Sequence, residues 1–155
     1  MDDLAIARAI HVLAVVHWIG GVAMVTAVIL PAVARLSEPA RRLALFEAVE
    51  GRFSLQAKVS VPLAGLSGFY MTWRLGAWDR FGDPAFWWMD AMVLVWTLFM
   101  LMLFVAEPLF HRRLRARAEA APDATFARIR RVHWVLLTAS AVTIAGAVLG
   151  VHGVF

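Results

Sequence analysis

Residues 4–31 read LAIARAIHVLAVVHWIGGVAMVTAVILP. Only Arg8, His11 and His17 interrupt an otherwise uncharged, apolar run. About 20 mostly apolar residues are enough for a helix to cross the hydrocarbon core of a membrane. The apolar residues are continuous rather than alternating, so the stretch is not a barrel strand. It begins with Asp2 and Asp3, is longer than the core of a signal peptide and carries no clear cleavage site. It therefore reads as a retained first helix.

Three further stretches have the same character. VSVPLAGLSGFYMTW opens a span over residues 59–77, despite Pro62, Gly65 and Gly68, which a membrane bundle tolerates. FWWMDAMVLVWTLFMLMLFVAEPLF covers 86–110, and VHWVLLTASAVTIAGAVLGVHGV covers 132–154. Composition agrees with these assignments. The 155 residues are 62% apolar and 17% charged, where soluble domains are about half apolar and about a quarter charged. The expected fold is all-α, a single integral membrane domain built as an antiparallel four-helix bundle. Such a composition excludes a nucleic-acid-binding domain despite the net charge of +4, and disorder is excluded as well. The absence of cysteine excludes disulfides and zinc–thiolate sites.

The basic residues orient the bundle. Arg35, Arg41, Arg42, Arg52 and Lys58 fall in one connection. Arg112, Arg113, Arg115, Arg117, Arg128, Arg130 and Arg131 fall in another. Only Arg8, Arg74 and Arg80 lie on the other side. The positive-inside rule then puts the two Arg-rich connections in the cytoplasm of a bacterial inner membrane, with both termini periplasmic. Within the first connection, Ser37 is a candidate cap for a short interfacial helix over about 38–53. The arginine clusters themselves read as topology and contact with anionic lipid.

Ionisable groups inside a span are costly and each suggests a function. His11, Arg8, Arg74, Asp90 and His152 share a depth near the periplasmic face. Lys58, Glu107, His111 and His133 lie near the cytoplasmic one, where the two histidines read as interfacial. His17 sits about 9 Å deeper than His11, turned by about 120° from it, so the two cannot share a metal. Haem needs axial imidazoles, flat apolar walls and cations for its propionates. Here His11 and His152 are the candidate axial ligands, Arg8 and Arg74 the propionate partners, and Trp18, Tyr70 and Trp73 the walls. Copper is the alternative, with His11, His17, Asp90 and His152 as metal ligands beside dispersed methionines. Gly146-xxx-Gly150 is a close-approach motif through which a homodimer could form.

The first helix, ARAIHVLAVVHWIGGVAMVTAVILPAV, resembles the opening helix of the HemJ and CopD-like membrane families. Both share a small–His opening, then Trp and Gly, then an apolar run into Pro. FEAVEGRFSLQAKVSVPLAGLSGFY and FWWMDAMVLVWTLFMLMLF are similar to their second and third helices. The resemblance implies a four-helix membrane protein with haem b or copper chemistry, in which His11 matches the first-helix histidine. Where those families carry Trp-x-His-x-Lys, this chain has Trp88-Met89-Asp90-Ala91-Met92. With both of those polar residues replaced, the resemblance points to a haem or metal site at His11 rather than to protoporphyrinogen oxidation. Three readings stay open. The first is a haem b-binding redox protein with its site near the outer leaflet, acting as a haem-dependent oxidoreductase if it is an enzyme, with a porphyrin or quinone as partner. The second is a copper-binding or copper-passage protein, and the third a non-catalytic accessory subunit.

Overall fold

The computed structural model describes residues 3–36 and 38–154, apart from the side chains of residues 36, 40, 110 and 111. Ser37 and the His111 side chain lie outside this set. Every regular element among the described residues is helical. Helix α1 (Asp3–Met24) passes through a π-helical turn (Val25–Ile29) into α2 (Leu30–Leu36). Helix α3 spans Pro39–Arg74. Two 3₁₀ turns, Ala77–Arg80 and Pro84–Phe86, lead to α4 (Trp87–Leu101). A second π-helical turn (Met102–Ala106) joins α4 to α5 (Glu107–Ala120), and α6 (Pro122–Val151) completes the order.

Local chemistry explains the boundaries. Pro39 occupies the first turn of α3, where its missing N–H costs nothing. At the other end, Gly76 takes the left-handed conformation (φ 60°) that stops the helix. Between them the chain holds no strong helix breaker before Pro62. The interfacial helix expected over 38–53 and the span expected from 59 are accordingly one continuous rod. The last helix begins at Pro122, and Pro122 and Asp123 read in the sequence as the start of a cytoplasmic extension of the fourth span.

Helix α1 packs chiefly on α3, and α4 on α6. Indole rings fill the gaps that small residues leave. Trp87 lies against Gly146, Trp88 against Gly150 and Trp96 against Gly65. The Gly146/Gly150 face, expected to serve a homodimer, is thus already occupied by this chain's own tryptophans. The central core gathers Trp18, Val22, Val61, Phe99 and Leu103, with Trp18 edge-on to Phe99 at 4.8 Å.

Outside this core the helices stay apolar. Leu13, Leu55 and Leu66 are each about 70% exposed (69%, 70% and 69%). Three segments, Asp3–Arg35, Pro84–Leu109 and Pro122–Val151, are long and apolar enough to cross a membrane. At most 28% of the apolar stretch in each is buried. Contiguous exposed apolar surface of this kind is foreign to soluble monomers. Helix α3 is not among the three segments, because its apolar part, residues 59–73, is short, bounded by Lys58 and Arg74, and diluted by Ser, Gly and Pro.

Ion pairs tie the Arg-rich end together: Arg42 to Asp123 at 2.6 Å, Arg115 to Glu47 at 2.8 Å and Lys58 to Glu107 at 3.0 Å. The Glu47 carboxylate raises the pKa of the Arg115 guanidinium further above its ordinary value.

Candidate functional site

At the Arg-poor end the structure divides the expected constellation into separate arrangements. Arg74 forms an ion pair with Asp3, donating from Nε at 2.9 Å and from Nη2 at 3.2 Å. Tyr70 donates its hydroxyl to the same carboxylate at 2.7 Å. Trp73 rests against Tyr70, with ring centroids 5.9 Å apart, and is 63% exposed. Arg74 had been the candidate partner for a propionate. It is instead committed to Asp3, an acid that the reading of spans had left at the terminus. Asp90 accepts from the backbone N–H of Gly82 at 3.2 Å and so steadies the Gly82 loop.

His11 faces α3. Its Nδ1 lies 2.8 Å from the Ala64 carbonyl and 3.2 Å from Ser67 Oγ. A carbonyl can only accept, so Nδ1 carries the proton and Nε2 keeps a lone pair. His152 is exposed and bonds through Nδ1 to Val148 of its own helix. Arg8 and His17 are exposed. Trp18, seven residues beyond His11, lies about 10 Å along the helix from it and belongs to a different part of the molecule. Among the described residues, no three His, Asp or Glu side chains gather as a metal site. The set His11, His17, Asp90 and His152 is therefore not a metal centre as placed here. A haem between His11 and His152 would also lack Arg74.

A cavity of about 450 Å³ opens between α1, α3, α4, α5 and α6, within the range of small-molecule sites. Its deeper wall is apolar and includes Trp18, Val22, Ala57, Phe99, Leu103 and Leu136. Its rim is polar: Glu47, Glu50, Glu107, Arg113, Arg117 and His133. Trp18, only 4% exposed, has a buried indole N–H with no hydrogen-bond partner. An unsatisfied buried donor costs about 1–3 kcal/mol and calls for a reason.

Both π-helical turns contribute to the wall, through Val25 from the first and Met102, Leu103 and Ala106 from the second. Such turns are rare and occur often at functional sites.

The rim is organised. Ser54, buried, donates to Glu107 at 2.6 Å, and Lys58 donates to the other oxygen of that carboxylate. His133 donates from Nδ1 to the Ile129 carbonyl at 2.9 Å, stands edge-on to Phe46, and holds Nε2 at 3.7 Å from Glu50. Sequence reasoning had set Lys58, Glu107 and His133 at this depth but gave them no role. It overlooked Glu50, Ser54 and Phe99. The available signal was Glu107, an acid directly after an apolar run.

No family profile, curated protein or solved structure matches this chain.

Proposed function

We propose that the chain is a multi-pass membrane protein of four antiparallel spans, with its Arg-rich end in the cytoplasm, that binds an amphipathic small molecule in the cavity at that end. The observation that carries this is the cavity itself: about 450 Å³, apolar at depth, polar at the rim and flanked by two π-helical turns. Three apolar segments and the exposed apolar surface support the membrane assignment. The asymmetry of the basic residues supports the orientation.

Haem b, which the first-helix resemblance implies, belongs to this ligand class. The residues around the cavity meet its chemical needs better than those at the Arg-poor end. Trp18, Phe53 and Phe99 offer flat apolar walls, Arg113 and Arg117 offer cations for carboxylates, and His133 offers an imidazole. Bound haem would supply one-electron redox chemistry. The chain's own part would be to orient the ring, exclude water from its faces and neutralise its acid groups.

One observation favours a second reading. His11 Nδ1 is held by a carbonyl, the arrangement that presents Nε2 to a metal in many haem and metal proteins. A haem titration of the purified full chain in nonionic detergent separates the two. The cavity reading expects a Soret band that shifts or is lost in His133→Ala and persists in His11→Ala. Loss in His11→Ala alone would transfer the site to the Arg-poor end. No band after haem addition would remove haem from the proposal.

A further inference from the structure

His17 belongs neither to the cavity nor to the core. It is exposed on α1, close to the middle of the apolar run over residues 4–31. Among the described residues its ring has no hydrogen-bond or ion-pair partner. Arg8 precedes it by nine residues, so His17 lies about 13 Å deeper in a hydrocarbon core about 30 Å thick. Its side chain is too short to reach either boundary, and a polar ring left in lipid is costly. The residues along its face are ordered. Ile6, Ile10, Leu13, His17, Gly20 and Met24 follow one another in alternating steps of four and three residues, and all are exposed. They form one stripe, turned by roughly 110° from the face that carries Ala14 and Trp18 into the core. A repeat of that period is the seam along which two helices pack, and one polar residue on such a seam fixes their register. Gly20, with nothing within 4 Å of the place a Cβ would take, lets a second helix come close beside His17.

We propose that this stripe is the contact between two copies of the chain, related by a two-fold axis beside His17, with one imidazole donating to the other. Copies inserted in the same orientation carry His17 at the same depth, so each brings the other the polar group that this depth needs. Neutral imidazole has one donor and one acceptor nitrogen, so the pair closes without a third group. Lipid would leave the ring unpaired, and an unrelated membrane protein would have to bring its own polar side chain to that depth. The proposal rests on α1 being a membrane span and is independent of what the cavity binds.

The test uses the full chain in native membranes, with single cysteines introduced where the sequence has none. Two forms with tags of different mass are coexpressed, so that a disulfide-linked product can be identified as two copies of this chain. Under copper-phenanthroline oxidation, Leu13→Cys and Gly20→Cys should each give about fivefold more linked dimer than Val12→Cys or Leu66→Cys, which put the thiol on other exposed faces. Adding His17→Leu to Leu13→Cys should lower the yield about fivefold, whereas His17→Asn, which keeps a donor and an acceptor, should retain most of it. Circular dichroism of the purified variants should show unchanged helical content. Equal yields at all four positions, no linked product, linkage to a different protein, or an undiminished yield with His17→Leu would overturn the proposal. A carbonate wash separates its failure from that of the membrane reading. A chain released by the wash removes both, while a chain retained in the pellet without linked dimer removes the pairing alone.

Discussion

Gly146 and Gly150 show how one missing side chain sets a contact. A Cβ at either position would run into the indole of Trp87 or Trp88. Replacing Gly146 with Leu should therefore cost about 1–3 kcal/mol through overpacking, read as a lowered midpoint of thermal unfolding in detergent. Adding Trp87→Ala should return part of that loss, because the two residues share one space. Equal midpoints for Gly146→Leu and the unaltered chain would contradict the packing described here. The glycines were legible in the sequence as points of close approach. Their partners were not, because a Gly-xxx-Gly face accepts a helix, an indole or a second copy equally well, and the choice is made by residues some 60 positions away. His11 is a similar case. Its depth was legible, but the Ala64 carbonyl that fixes its tautomer is a backbone group with no mark in the sequence.

At the scale of the elements, the two π-helical turns are the unusual feature. Each closes its hydrogen bonds over five residues rather than four, so it carries an extra residue relative to an α-helix. Deleting Val105 should remove that extra residue and let α4 and α5 join as plain α-helix with their faces kept in register. Circular dichroism should then show helical content kept, and a deletion variant that loses helix would contradict this account of the turn. The apolar runs announced three helices long and apolar enough to cross a membrane, since length and hydropathy suffice for that. They did not announce that α3 runs unbroken from Pro39 to Arg74. Its first half read as a separate interfacial helix, although no residue between that helix and the span stops the chain.

For the whole molecule, the uneven distribution of arginine supports the proposed orientation. Single cysteines can test the orientation, since the chain has none of its own. A cysteine at Ala116 should react with a membrane-impermeant maleimide only in inverted vesicles, and one at Ala85 only in intact cells. The reverse pattern would invert the topology. The cavity itself was not legible, because it is a space left between five helices rather than a property of any stretch of chain. Sequence reasoning assigned the arginines to topology and looked for the site at the other end, where isolated histidines stood out against apolar surroundings.

The central claim is that this space holds a ligand, and filling it is the direct test. Ala57 is 2% exposed and forms part of the apolar wall. Its replacement by Phe would put a ring into the cavity without removing any rim group. Titration of haem into Ala57→Phe should show at least a tenfold loss of affinity relative to the unaltered chain, with helical content kept. Undiminished binding by Ala57→Phe would contradict the account.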